Sequence, residues 1–412
     1  MSNKKFKFKL WQRIMIGMIL GVILGLANPS IMGYKVVQLV EPIGAIFSNM
    51  LKMIVIPLIF CAILYGITSI DDADTFTRLG GRAFAIYSIT TVFAVTIGIV
   101  FTLIFEPGTG VNITLNDGPK IHVVTTLYDM LINIIPSNPI NAMVTGNTLQ
   151  VVVFAFFVGI SIVLAGEKSK DFKMVIISAT QVMFKMVELV LKTAPYGVFA
   201  IMSGVIVKYG WDVLQSLAKF AAVVIAALTL QYLLFGVMLL LFARVNPLFF
   251  YKKMLPVQAL AFATSSSKAT LPTAMNHLHK KIGVSKRSAS FILPLGASMN
   301  MDATAIYLGA TAVFFAQVMG VTLSMHDYLI IVLTSTIGSI GAAGFPGGGI
   351  IMMGVVLSSV GLPVEGISLI VGIDRILDMI RTMINITGDC AVTLIVDKME
   401  GTFDNMTYNK KN

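Results

Sequence analysis

Between Val371 and Ile395 an otherwise apolar stretch carries Asp374, Asp378, Arg381, Asn385 and Asp389. At about 100° per residue these fall inside one helical stripe about 80° wide, with Thr382 beside it, while the intervening Ile, Leu, Met and Val residues face elsewhere. Charge inside an apolar span costs on the order of 2.5–3.5 kcal/mol per residue even on the mildest scale, so it marks a pathway or a binding site. Three carboxylates against one arginine leave an excess of negative charge in low dielectric, which cations must offset. An α-amino group suits Asp378, a metal cation or proton suits Asp389, and the planar Arg381 fork matches a substrate carboxylate in a bidentate way. The competing explanation from spacing alone is that Arg381 neutralises Asp378 one turn away.

A second constellation is Pro294-Leu295-Gly296-Ala297-Ser298-Met299-Asn300-Met301-Asp302. Asn300 and Asp302 would point to different sides of a regular helix, and Pro294 with Gly296 favours local unwinding. Unwound carbonyls plus Asn and Asp oxygens form a hard, all-oxygen shell that suits small alkali or alkaline-earth cations. A buried Asp capping a broken helix explains the same residues without an ion.

Such residues need elements that hold them in an apolar medium. Of 412 residues, 56% are hydrophobic and 12% charged; an ordinary soluble domain has about 25% charged residues, so lipid must serve as solvent here. Trp11 to Ala27, Phe84 to Phe105 and Phe220 to Phe242 approach or reach the roughly 20 residues that cross a bilayer core, which predicts an all-α polytopic membrane protein. The basic run Lys4, Lys5, Lys7 and Lys9 leads into the first of these, and reads as the start of a span rather than a cleaved signal. Two cysteines, Cys61 and Cys390, sit in apolar segments, and four histidines lack metal-ligand spacing, so neither a disulfide framework nor a metal cluster is indicated. No Walker-type loop supports ATP-driven transport. The formal charge of +10 lies in short loops, where it reports topology and not a nucleic-acid partner.

Basic residues cluster at Lys4 to Arg13, at Arg78 and Arg82, and at Lys168, Lys170 and Lys173, separated by the weakly basic loops Asn28 to Lys35 and Pro107 to His122. This alternation places the N-terminus in the cytoplasm. Further spans follow at about Phe172 to Val207 and Asp212 to Phe242, and Arg244, Lys252 and Lys253 then lie inside again. Leu255 to His279 is followed by another basic loop (Lys280, Lys281, Lys286, Arg287), so both of its ends fall on one side. Its centre, Thr264 to Pro272, is too polar for lipid, and each arm of about ten residues crosses half a bilayer. That pattern predicts a re-entrant helical hairpin wrapped in protein. A second, from about His326 to Val360 with its tip at Gly341 to Gly349, has flanks almost free of Lys and Arg and would enter from outside. Interrupted hydrophobic segments dipping from opposite faces point to inverted repeats around a midplane site; amphipathic surface hairpins are the alternative.

The chain resembles the glutamate/aspartate transporter family (dicarboxylate/amino acid:cation symporters), which includes archaeal aspartate transporters, bacterial glutamate and dicarboxylate carriers and animal excitatory amino acid transporters. The residues that carry the resemblance are Ser265-Ser266-Ser267 with Thr270-Leu271-Pro272, Asn300-Met301-Asp302, Gly344-Phe345-Pro346-Gly347 and Asp374 through Asp389, with Leu51 to Pro57 and Ala194 to Phe199. It implies eight transmembrane helices plus two re-entrant helical hairpins in an elevator-type homotrimer. Spans 1–2 (10–70) and 4–5 (122–207) would form the scaffold. Span 3 (82–106) and residues 212–400 (span 6, hairpin 1, span 7, hairpin 2, span 8) would form the transport domain. The resemblance places substrate against Ser266, Ser267, Thr304, Phe345, Gly349, Asp378, Arg381, Thr382 and Asn385. It places one sodium ion on Gly296, Asn300, Asn385 and Asp389, a second on Tyr87, Thr90, Thr91, Asn300 and Asp302, and a third on the backbone of Ser298, Met301, Ser339, Ile340 and Ala342. Sodium is then a co-transported ion, not a prosthetic group, and the other partners are an acidic amino acid and lipid.

Some positions depart from the family pattern. Lys268 stands where a small polar residue or a glutamate is usual, and either pairs with Asp374 or Asp378 or snorkels. Ser265 replaces an arginine of archaeal members. Leu308 replaces the glutamate that carries a proton in animal members, whereas Asp389 is kept where the proton-coupled bacterial branch has asparagine, which favours sodium. The expectation is therefore sodium-coupled symport of L-aspartate or L-glutamate across the plasma membrane (the inner membrane of a bacterium), with both termini cytoplasmic. The rivals are a proton-coupled glutamate or C4-dicarboxylate carrier of the same fold, and a gated channel built on re-entrant loops. A membrane enzyme is disfavoured, because no nucleophile and base pair stands out.

Overall fold

The computed structural model describes residues 10–31, 34–68, 80–110, 135–145, 148–341 and 348–410. The first lysine run, Arg78, most of the Pro107 to His122 loop and the tip of the second hairpin lie outside them. The regular structure of the described residues is helical except for a short ribbon that pairs Ser30–Ile31 with Tyr34–Lys35. Its helices are α1 (Leu10–Ala27), α2 (Val36–Thr68), α3 (Gly81–Phe105), α4 (Pro139–Val144), α5 (Thr148–Ala165), α6 (Lys170–Tyr209) and α7 (Asp212–Met238). They continue as α8 (Pro247–Thr264), α9 (Ser267–His277), α10 (Lys286–Met299), α11 (Asp302–Val318), α12 (Met325–Gly341), α13 (Gly348–Ser359), α14 (Ile367–Met399) and α15 (Asn405–Asn409).

Among the described residues, four stretches are long and apolar enough to cross a bilayer: Gly81–Phe105, Asp212–Ala243, Lys286–Val318 and Leu369–Met399. A fifth is added when Val153–Val190 and Lys192–Val207, bent by 46°, are taken as one. Burial sorts the four: in the most apolar 18-residue window of each, 94% of the residues are buried in Lys286–Val318 and 83% in Leu369–Met399, against 39% and 44% in the first two. The two that carry the polar constellations are thus the interior ones, wrapped by helices that turn Phe93, Ile104 and Leu241 outward. That arrangement is what an apolar solvent requires of polar side chains.

The two helical breaks expected from the sequence are present. Ser265 adopts the left-handed region (φ 49°) and ends α8, and the Ser266 hydroxyl accepts from Ala269 N at 3.3 Å and so caps α9. The arms α8 and α9 pack against each other and against α14. Pro272, expected at the tip, lies inside α9. Asn300 is extended (φ −107°, ψ 95°) between α10 and α11, and the span is broken at Asn300 and Met301. The arms α12 and α13 also pack together, as a second hairpin requires.

Two further features brace the bundle. Gly17, Gly21 and Gly25 on α1 lie so close to α6 that a Cβ on them would collide with Pro195 O, Phe199 O and Ser203 O; backbone approach through small residues is the usual adhesive between helices in lipid. Elsewhere the Lys253 ammonium donates to Lys281 O (2.9 Å), Thr407 O (3.0 Å) and Tyr408 O (2.8 Å), tying the base of the first hairpin to α15. Asp404 caps α15 through Met406 N and Thr407 N, and hydrogen bonds from Thr407 hold its carboxyl below the usual carboxylate range.

Candidate substrate and cation site

Arg381, 1% exposed, lies at the centre of the interior span α14. Its Nη2 donates to Asp374 Oδ1 at 2.9 Å and to Asp378 Oδ1 at 3.1 Å. The guanidinium lies over the Tyr307 ring of α11, 3.9 Å from the centroid, so a cation–π contact fixes its plane. Across from it is Gly349 of α13, where a Cβ would sit 3.1 Å from Nη2 and 3.6 Å from Thr304 Cγ2, so a side chain there would press on the guanidinium by a few tenths of an ångström. Nη1 and Nε of Arg381 are buried and have no hydrogen-bond partner among the described residues, and the same is true of Asp378 Oδ2. Unsatisfied buried donors and acceptors are rare because each costs about 1–3 kcal/mol, more when charged. Both signs side by side would suit a ligand with complementary groups.

The neighbouring residues have divided roles. Thr382 Oγ1 donates to Asp378 O at 2.8 Å. Asn385 accepts from Ala303 N (2.8 Å) and donates to Thr304 Oγ1 and Met301 Sδ (both 3.3 Å), so its amide fixes the start of α11. Ser267 is buried at the head of α9, while Ser266 serves as that helix's cap. Phe345 lies outside the described residues. Lys268 places its ammonium over the Tyr65 ring of α2, 4.6 Å from the centroid.

Below this cluster two carboxylates collect oxygen. Asp302 Oδ1 accepts from Thr91 Oγ1 (2.8 Å) and Thr90 Oγ1 (3.3 Å) of α3, and Oδ2 from Gln231 Nε2 (3.1 Å) of α7. Asp389 Oδ1 accepts from Asn300 Nδ2 at 2.9 Å, and a Cβ on Gly296 would lie 2.7 Å from that oxygen and 2.5 Å from Tyr87 Oη. Tyr87, Gly296, Asn300 and Asp389 therefore meet at one point, and Thr90, Thr91 and Asp302 at another. Asn300 Oδ1, Asp389 Oδ2 and Gln231 Oε1 are buried acceptors without hydrogen-bond partners among the described residues. Acceptors facing inward with no donor are the chemistry of a hard cation site. No group of three or more His, Cys, Asp or Glu gathers among the described residues, so the donor set is neutral oxygen plus single acids, as suits a monovalent ion. For the third expected ion, Ser298 and Met301 flank the break, and α10 packs against α12. There the Ser339 hydroxyl donates to Thr336 O at 2.8 Å. Ile340 is in the last turn of α12, and Ala342 lies outside the described residues.

A family model described as the sodium:dicarboxylate symporter family matches residues 10–399. The chain belongs to that family. It is 34% identical over 408 residues to a proton/sodium-glutamate symport protein of Bacillus caldotenax, covering 96% of this chain and 95% of the relative. It is 33% identical to a C4-dicarboxylate transport protein of Rhodospirillum rubrum (97% and 90% covered) and 30% identical to a proton/glutamate-aspartate symporter of Escherichia coli K12 (97% and 95%). The chain is thus a multi-pass membrane transporter and not an enzyme.

Three residues of this symporter escaped the sequence reading. Arg375 Nη1 stands 3.6 Å from Asp378 Oδ2, which corrects the charge count: the face holds two arginines, and the acids exceed the bases by one, not two. The signal was available, because i and i+3 are neighbours on a helix. Tyr307 is one turn beyond Thr304 and could have been found the same way. Gln231 carries no local signal, since its partner is supplied by another helix.

Proposed function

We propose that the chain is a sodium-coupled secondary symporter of acidic amino acids, L-aspartate or L-glutamate. One observation carries the reading: buried donors on Arg381 and a buried oxygen of Asp378, none of them hydrogen-bonded among the described residues, sit side by side in the interior. A zwitterionic acid answers both, its ammonium on Asp378 and a carboxylate on Arg381, whereas a C4-dicarboxylate brings no cation for Asp378 and adds like charge beside it. The converging oxygens of Asn300, Asp302 and Asp389 with Thr90, Thr91 and Tyr87 supply sites for sodium. An inward charge gains about 2.3 kcal/mol per 100 mV. One sodium ion merely cancels the anionic substrate, so more than one is coupled.

The proposed architecture is eight spans and two re-entrant hairpins in inverted repeats, with both termini in the cytoplasm of a plasma-membrane homotrimer. Residues 10–70 and 122–207 form the scaffold, and 82–106 with 212–400 form a transport domain that moves as an elevator. The second hairpin is the lid: a Cβ on Gly349 would lie 3.1 Å from Arg381 Nη2, so its closure depends on what Arg381 holds. Ligand and ions each favour the closed lid and so raise one another's affinity. The test is uptake by the purified protein in liposomes with sodium, proton and potassium gradients imposed separately. Aspartate or glutamate uptake driven by sodium alone is the expected result. Relatives named for proton coupling and for C4-dicarboxylates support a second reading, a proton-coupled glutamate or dicarboxylate carrier of the same fold. Uptake that persists without sodium and collapses with the pH gradient would establish it.

A further inference from the structure

Arg375 has no part in the assignments above, and its position gives it one. It lies on α14 one turn before Asp378, its side chain 28% exposed, with Nη1 3.6 Å from Asp378 Oδ2. The other Asp378 oxygen is held by Arg381, which also holds Asp374. The two carboxylates of this cluster are therefore matched by two guanidinium groups before any ligand is considered. The two arginines differ in how they are held. Arg381 is stacked on Tyr307 and bonded at Nη2, whereas Arg375 reaches Asp378 at ion-pair range beyond hydrogen-bond length, from a long and partly solvated stem. A compact ammonium at hydrogen-bond distance from Oδ2 displaces such a contact; it does not displace Arg381.

We propose that Arg375 is an internal stand-in for the substrate's ammonium, neutralising Asp378 whenever the carrier crosses the membrane without substrate. The inference rests on the reading of the site as one for a zwitterionic acid. A carrier that works in cycles must return its site through the membrane unloaded, and an uncompensated carboxylate in that step faces both desolvation and the membrane field. With Arg375 on Asp378 the cluster returns neutral; with the ammonium on Asp378 the arginine swings toward solvent. Arg375 is thus a positioning residue that acts through Asp378. It competes with substrate for Oδ2 and enables the empty return.

The test separates two modes of transport in liposomes containing the purified full-length chain, with labelled aspartate and glutamate as probes. Net uptake into liposomes without internal amino acid requires the empty return, whereas exchange against internal unlabelled amino acid does not. In Arg375→Gln net uptake is expected to fall by about tenfold or more relative to exchange, in line with the loss of one partner of a partly buried ion pair. The half-saturating concentration for exchange is expected to fall as well, because a competitor for Asp378 has gone. Arg375→Lys is expected to restore the ratio of net uptake to exchange. A merely structural arginine would lower both modes together, and a parallel loss, or an unchanged ratio in a folded Arg375→Gln protein, overturns the inference. Failure of the unsubstituted chain to exchange either amino acid would overturn the reading of the site, and this inference with it.

Discussion

Gly296→Ala offers the sharpest test of the cation site. The added methyl carbon would lie 2.5 Å from Tyr87 Oη, 2.7 Å from Asp389 Oδ1 and 2.8 Å from Asp389 Cγ, all inside the closest approach that carbon tolerates. Neither neighbour is a loose end. Asp389 is fully buried and receives Asn300 Nδ2 at 2.9 Å, and Tyr87 is 2% exposed. The methyl must push the carboxylate or the phenol away from the point where the oxygens converge. Overpacking a filled interior costs about 1–3 kcal/mol. Taken up wholly by cation binding, that weakens sodium by about 5- to 150-fold. The assay is the sodium concentration for half-maximal aspartate or glutamate binding by purified protein, with thermal unfolding recorded alongside. Half-saturating sodium should rise at least about fivefold while saturating sodium restores maximal binding. Gly204→Ala, where a Cβ would meet nothing within 4 Å, serves as the control. A folded Gly296→Ala protein with an unaltered sodium titration would refute the placement of a cation among Tyr87, Gly296 and Asp389.

Three other outcomes follow from the geometry. Arg381→Cys removes the buried guanidinium and should weaken acidic substrates by at least about thirtyfold while admitting neutral amino acids, read by competition binding; unchanged aspartate affinity would count against its role. Asp389→Asn removes a negative charge from the site but keeps its shape, so the sodium dependence of uptake should flatten, and an unshifted titration would take Asp389 out of the site. Lys253→Met leaves the carbonyls of Lys281, Thr407 and Tyr408 without their donor and should loosen α15 by about 1.5–3 kcal/mol, seen as faster amide hydrogen exchange at Phe403 to Tyr408, with unchanged or slower exchange there being the contrary result.

The sequence was most legible where one helix settles the question by itself. Helical periodicity gathered Asp374, Asp378, Arg381, Asn385 and Asp389 on one face, and all five are buried within α14. Serine-rich and Pro/Gly-containing stretches marked the breaks at Ser265 and at Asn300 and Met301, because backbone that leaves a helix needs particular residue types. What one dimension does not encode is which helix arrives opposite. Gln231 and Tyr307 are ordinary residues of apolar spans until packing sets them against Asp302 and Arg381. Lys268, for which pairing with Asp374 or Asp378 was one expectation, lies over Tyr65 of α2. The ion-pair partners of those two carboxylates among the described residues are Arg381 and Arg375. Ser266, expected on the substrate, also accepts from Ala269 N and caps α9, a use that its residue type allows but that spacing alone did not single out.

The close seam between α1 and α6 bears on where this molecule can slide. Three glycines four residues apart set main chain on main chain, so a shift by one position would drive Met18 or Val22 into carbonyls that now meet only hydrogen. Such a joint is keyed and has no intermediate stops. Gly98 of α3 makes a second joint of the same kind against Ile306 of α11. By contrast, the nearest atom to a Cβ on Gly372 of α14 is the sulfur of Met18, the pliable end of a side chain on α1. A soft thioether riding over a bare patch of helix is a bearing rather than a key, so the sliding proposed for the transport domain would fall between α1 and α14 and not within either keyed pair.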